Sequence, residues 1–223
     1  MKPTSNQIIS IVTEQGVIPL FYHDDTNESI AIVDALYNAG IRIVEYTNRG
    51  SKAIENFRAL LSIRTTKWPD LFLSVGTIKT TDAAKKFIDA GADFIICPGI
   101  IPEVAKLVHD AGLVWVPGCM TTTEIIMAEQ HGAKLVKLFP GSLLGPSYVS
   151  AVKEIFPDLL FMPTGGVDVS EDNLSKWFNA GVVAVGLGSK VISKELVNKK
   201  DYAAIEALAK KALAIVQTIK TVK

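Results

Sequence analysis

Two charged residues interrupt runs that are otherwise apolar. Lys137 stands inside Leu135-Val136-Lys137-Leu138-Phe139, bounded by Gly132 and by Pro140-Gly141, and Glu45 stands between Ile43-Val44 and Tyr46. Short apolar runs between breakers, without alternation, read as strands buried on both faces. Parity then puts Leu135, Lys137 and Phe139 on one face and Ile43, Glu45 and Thr47 on one face, with Arg42 and Val44 opposite the latter. An ammonium stripped of water favours shedding its proton, and a neutral amine is a nucleophile that can form a Schiff base with a carbonyl substrate. A carboxylate in the same interior could pass protons during imine formation and carbon deprotonation. A static ion pair would leave the same pattern in the sequence.

The elements that must position these two residues alternate. Strand patterns at 17–21, 41–46, 71–75, 94–97, 113–116, the lysine run, 160–162 and 182–185 are separated by helical patterns at 28–37, 52–63, 81–90, 102–111, 123–131, 147–156 and 170–179, and a helix at 201–218 closes the chain. Four helices end in the same kind of phrase, Asn38-Ala39-Gly40, Asp89-Ala90-Gly91, Asp110-Ala111-Gly112 and Asn179-Ala180-Gly181, each offering a glycine for a left-handed C-cap before a strand. Eight such units of about 28 residues predict a (β/α)8 TIM barrel, one domain over residues 1–223. Residues 1–16 form a short N-terminal helix, capped at Thr4 or Ser5 and stopped by Gly16, that covers one end. A doubly wound open sheet is the alternative, but it wants a glycine-rich first turn, and Phe21-Tyr22-His23-Asp24-Asp25 is not one.

In a barrel the site lies where strands end. The polar and small residues there are Glu45, Thr47, Arg49, Thr77, Pro98, Gly99, Pro117, Gly118, Lys137, Thr164, Gly165, Gly166, Gly186, Gly188 and Ser189. Glycines after the last two strands, with the Ser189 hydroxyl, let backbone N–H groups approach a phosphate. Arg49 could clamp a carboxylate or a phosphate, or be an ordinary exposed loop arginine. The balance of 23 basic and 23 acidic residues, with no basic block, gives no field for nucleic acid or a membrane surface. No long apolar span or secretory leader is present, which points to the cytoplasm. Cys97 and Cys119 have no metal or disulfide spacing and read as reduced thiols; His23, His109 and His131 form no metal motif, so no metal is expected. Trp68, Trp115 and Trp177 are scattered and read as packing.

Taken in order, Ile43-Val44-Glu45-Tyr46-Thr47, Val75-Gly76-Thr77, Cys97-Pro98-Gly99, Val116-Pro117-Gly118, Thr121 to Glu124, Val136-Lys137-Leu138-Phe139-Pro140, Pro163-Thr164-Gly165-Gly166-Val167 and Gly186-Leu187-Gly188-Ser189 make a sequence that resembles the 2-keto-3-deoxy-6-phosphogluconate/4-hydroxy-2-oxoglutarate aldolase family over nearly its whole length. The resemblance implies a class I aldolase that releases pyruvate and an aldehyde. Lys137 would form the Schiff base and Glu45 would be the general acid/base. Arg49 and Thr77 would bind the carboxylate of the pyruvyl part, Phe139 and Thr164 would line the pocket, and Gly165, Gly166, Gly188 and Ser189 would face the phosphate. It also implies a homotrimer working without metal or organic cofactor on a phosphorylated keto acid. Tyr22 and Thr122 depart from it, standing where arginine and proline are common. The 6-phosphogalactonate epimer, or a barrel that isomerises or decarboxylates sugar phosphates without a covalent lysine, is the alternative reading.

Overall fold

A computed structural model describes residues 3–221, so positions 1, 2, 222 and 223 of the expected domain lie outside the described residues. The N-terminal helix is shorter than expected: α1 runs Ser5–Gln15. Thr4 caps it by accepting from the Gln7 N–H while the Gln7 side chain returns to the Thr4 backbone, and Gly16 closes it at φ 70°.

Strands and helices then alternate. They are β1 (Val17–Phe21), α2 (Thr26–Asn38), β2 (Ile43–Thr47), α3 (Ala53–Lys67), β3 (Phe72–Gly76), α4 (Thr81–Ala90), β4 (Phe94–Ile96), α5 (Pro102–Asp110) and β5 (Val114–Val116). The second half holds β6 (Gly118–Cys119), α6 (Thr122–Gln130), β7 (Leu135–Leu138), α7 (Gly141–Ile155), β8 (Leu160–Pro163), α8 (Glu171–Asn179), β9 (Val185–Leu187), α9 (Lys194–Asn198) and α10 (Tyr202–Thr221). The glycines of the four repeated phrases, Gly40, Gly91, Gly112 and Gly181, all take positive φ, between 72° and 106°. Each turns its chain into the next strand at a conformation that costs a residue with a Cβ.

Every strand pairing is parallel. Six strands form one sheet in the order β5-β4-β3-β2-β1-β9, and three form a second, β6-β7-β8. This differs from eight uninterrupted strands. The expected fifth strand at 113–116 is β5, and the unexpected β6 is separated from it by Pro117, which has no N–H to give the ladder, although its carbonyl still accepts from the Lys137 N–H at 2.8 Å. Between the two sheets, Thr164 and Gly186 form an isolated parallel bridge, and the Val183 N–H reaches the Phe161 carbonyl at 3.1 Å.

Strand parity sorts the core into two apolar clusters. One joins Ile18, Ile43, Phe94, Ile96, Val114, Val116, Leu135, Met162 and Ala184, and α1 contributes Ile8 and Val12 to it. The other holds Val44, Tyr46, Val136 and Leu138 with the inward residues of the surrounding helices. Lys137 and Glu45 therefore lie two residues further along the faces that carry Leu135 and Ile43. Helix α1 seals the far end: Gln15 donates its amide to the carbonyls of Val17 and Ile43 and accepts from the Arg42 N–H at 2.5 Å.

Candidate active site

Lys137 on β7 and Glu45 on β2, 92 residues apart in sequence, meet with Nζ 3.2 Å from Oε1 and 3.4 Å from Oε2. Both are enclosed, Glu45 at 0% and Lys137 at 5% exposure. Their backbones are placed by neighbouring ladders: Glu45 is in register with Leu20 and Ser74, and Lys137 with Gly118 and Met162. Gly76 leaves the room that the carboxylate occupies, since a Cβ there would stand 1.8 Å from Glu45 Oε1. Lys137 Nζ also sits 5.7 Å from the centre of the Phe139 ring, on the same strand face.

Phe139 connects this pair to a cavity of about 460 Å³ at the C-terminal ends of the strands. Arg49, Phe139, Thr164, Gly165, Gly166, Gly188 and Ser189, all singled out from the sequence, line it. Lys137, Glu45, Thr77 and Pro98 are not among its lining residues. The pair lies beneath it, Thr77 follows β3 at φ 62°, and the Pro98 carbonyl would be 2.3 Å from a Cβ at Gly118. A positive φ at a β-branched residue stores roughly 1–3 kcal/mol and turns the chain sharply just after Glu45's neighbouring strand.

The polar groups of the wall are under-committed. The Arg49 guanidinium has no hydrogen-bond or ion-pair partner among the described residues. Thr164 is 7% exposed, and its hydroxyl has no partner either. A buried hydroxyl left unmatched costs about 1–3 kcal/mol, so this wall is suited to a polar guest. Gly165 and Gly166 take φ 89° and 72°, and the Gly141 N–H at the start of α7 donates to the Thr164 carbonyl at 2.8 Å.

Sequence reasoning missed Leu20, Asp168, Asn173 and Lys190, which also line the cavity. Exposed charges and amides on loops carry no periodic signal, so these polar residues were legible only once the loops were folded. A second cavity of about 390 Å³ shares Leu20, Arg49, Gly188 and Ser189 with the first and adds Tyr22, His23 and Lys194. Tyr22 donates to Asp24, and burial together with that carboxylate pushes its phenol up to about 12. Asn56 fastens this first loop by donating to the carbonyls of His23 and Asp24, each at 2.9 Å.

Cys97 and Cys119 are free and buried, and burial drives their thiols up to about 11 and about 12. Among the described residues no group of three or more His, Cys, Asp or Glu is arranged to hold a metal ion, and no helix is long and apolar enough to cross a membrane.

The site thus joins a parallel α/β fold, an enclosed lysine–carboxylate pair and a cavity lined by backbone amides and hydroxyl groups. The family model described as "Aldolase: KDPG and KHG aldolase" matches residues 8–208, and the chain belongs to that family. It is 32% identical over 212 residues to the 2-dehydro-3-deoxy-phosphogluconate aldolase of Pseudomonas aeruginosa, covering 93% of this chain and 92% of that one. It is 31% identical to the 2-dehydro-3-deoxy-6-phosphogalactonate aldolase of Escherichia coli, over 73% of this chain and 78% of that one. Among solved structures it is similar to the KDPG aldolase of Legionella pneumophila with pyruvate captured as a covalent carbinolamine, at a TM-score of 0.82 and 25% identity, covering 90% of this chain and 95% of the other.

Proposed function

We propose that the chain cleaves 2-keto-3-deoxy-6-phosphogluconate to pyruvate and glyceraldehyde 3-phosphate through a Schiff base on Lys137, and that 4-hydroxy-2-oxoglutarate, giving pyruvate and glyoxylate, is a second substrate. The observation that carries this is the enclosed 3.2 Å contact between Lys137 and Glu45. The carbinolamine captured in the Legionella relative supports a covalent amine adduct.

With its proton passed to Glu45, the Lys137 amine adds to the C2 ketone, and Glu45 returns that proton to the carbinolamine hydroxyl, which leaves as water to give an iminium ion and a free Glu45 carboxylate. Glu45 takes the proton of the C4 hydroxyl as the C3–C4 bond breaks. The bond's electrons enter the iminium to give an enamine, and the aldehyde departs. Protonation of the enamine at C3 and hydrolysis release pyruvate and regenerate the amine. Arg49 and Thr77 bind the C1 carboxylate in this reading, Phe139, Pro98 and Thr164 bound the reacting carbons, and Gly165, Gly166, Gly188 and Ser189 meet the phosphate. Holding the substrate at both ends restrains C2 against the amine.

The Escherichia coli relative favours one second reading, cleavage of the 6-phosphogalactonate epimer. Assaying both epimers decides between them. The same proposal takes the two sheets as one closed eight-strand barrel, with β5 and β6 as a single strand broken at Pro117 and the Thr164–Gly186 bridge as the seam. It also takes the chain as one domain acting in the cytoplasm as a homotrimer without metal or organic cofactor.

The test is borohydride reduction in the presence of pyruvate, read by peptide mass. One reduced pyruvate adduct on Lys137, absent in Lys137→Ala, is expected. An adduct on Lys134 overturns the assignment to Lys137, and no adduct at all overturns the covalent mechanism.

A further inference from the structure

We propose that Lys190 is the movable cation that recognises the phosphate end of the substrate, and that Asp168 holds it aside until a dianion arrives. This rests on the reading that the cavity takes a phosphorylated keto acid.

The two residues lie on opposite sides of the same wall, Asp168 after the Gly165-Gly166 turn and Lys190 directly after Ser189, and both line the cavity. Asp168 is fixed. Its N–H donates to Asn173 Oδ1 at 2.9 Å, and its Oδ1 accepts from the Val169 N–H at 2.7 Å. Asn173 in turn donates to the Gly166 carbonyl at 3.2 Å, so the carboxylate is braced against the glycine turn. Only Oδ2 is left to face Lys190.

Lys190 is loose by contrast. Its Nζ stands 3.4 Å from Asp168 Oδ2, with the side chains 57% and 50% exposed. The other ion pairs outside the Lys137–Glu45 contact all close to between 2.5 and 2.9 Å. A long, solvated pair is worth little, so the lysine can leave it for a stronger partner. A phosphate dianion on the backbone N–H groups of Gly165, Gly166, Gly188 and Ser189 would be such a partner, whereas a neutral hydroxyl would not. Asp168 is also the one carboxylate among the cavity's lining residues. The pairing makes the lysine available only to an anion that outcompetes the Asp168 carboxylate.

The measurement is steady-state cleavage of 2-keto-3-deoxy-6-phosphogluconate and of the same sugar acid without its phosphate. It is made on the wild type, Lys190→Met, Lys190→Arg, Asp168→Asn and Lys194→Met. Loss of a charged contact made equally before and during the reaction appears in KM. Lys190→Met should raise KM for the phosphorylated substrate about ten- to hundredfold, with kcat within about threefold, and move KM for the other substrate by less than about twofold. Lys190→Arg should recover most of the loss. Asp168→Asn, which keeps the Val169 contact but removes the competing charge, should lower KM for the phosphorylated substrate about two- to fivefold.

Equal losses on both substrates, or none, in Lys190→Met would overturn the proposal, as would a phosphate-selective loss confined to Lys194→Met, which would put the anion in the second cavity. A wild type indifferent to the phosphate defeats the phosphate reading itself. That outcome is distinct from a wild type that prefers the phosphate and keeps its preference without Lys190.

Discussion

Just before β4, Asp93 accepts through Oδ2 from Arg64 at 2.5 Å and from the Leu73 N–H at 2.7 Å; inside β2, Glu45 has Lys137 as its one hydrogen-bond partner among the described residues, at 3.2 and 3.4 Å. Both carboxylates are nearly closed off from solvent, at 5% and 0% exposure. The first is tied to the main chain of a neighbouring strand, at the end of the strands remote from the cavity, and its arginine keeps a quarter of its surface in water. The second has no backbone donor among the described residues and is positioned by packing on Gly76 and by one amine. Over-determined contacts make a framework, while a carboxylate answerable to a single exchangeable proton partner can do chemistry.

Exchanging the roles of the two pairs is the most direct way to break this contrast. Lys137→Met should lower kcat/KM at least about 10⁴-fold, because no other amine can carry the imine. Arg64→Met should leave kcat within about twofold and instead cost about 2 kcal/mol, less than a fully enclosed pair because the guanidinium is partly wet. That corresponds to a fall in Tm of about 4–8 °C for a chain of this size. A large kcat loss in Arg64→Met would erase the distinction.

Gly76→Ala sharpens it. The added methyl overlaps Glu45 Oε1 and would also stand 2.8 Å from Glu45 Cγ, so the carboxylate must swing off the lysine. The φ of Gly76 lies outside the left-handed region, and the effect is therefore steric rather than conformational. A displacement of about 1 Å at the proton donor is expected to cost about 10²-fold in kcat, with KM little changed. Wild-type kcat in this variant would mean that Glu45 does not need its present position.

The strands that carry the pair were legible because a charge inside an unbroken apolar run has one economical explanation, and parity alone gave the face that Leu135 and Ile43 confirm for their neighbours. Repeated Ala-Gly endings gave the units. Boundaries failed where backbone chemistry, not side-chain pattern, decides. The two-residue β6 beyond Pro117 falls outside the expected strands, and α7 carries an additional first segment from Gly141, joined across Gly145 at φ 74° to the expected helix after Pro146. Helix α9 is five residues long, too short to show a period. Thr77's left-handed backbone and Asn56's grip on the first loop depend on contacts between distant segments, and nothing local announces them.

The smallest effect tests the framework pair by pH. Burial raises the carboxyl of Asp93 above its ordinary 3.8, and the Arg64 charge and the Leu73 N–H only partly oppose it. The folded state therefore holds a proton on Asp93 that the unfolded chain has already released. Its contribution to stability is greatest below 3.8 and declines as pH rises from there through the folded value. Carboxylates held low in the folded state, such as Glu28 beside Lys200 and Tyr202, give the opposite slope, so the wild-type curve alone mixes the two. Asp93→Asn isolates the term, since an amide oxygen can still accept from Leu73 and does not titrate. Thermal midpoints of both proteins, followed upward from pH 4, should show the variant gaining on the wild type by a few degrees at most and then running parallel. A variant that instead falls further behind the wild type as pH rises would mean that Arg64 outweighs burial and that Asp93 is a stabilised anion like the others.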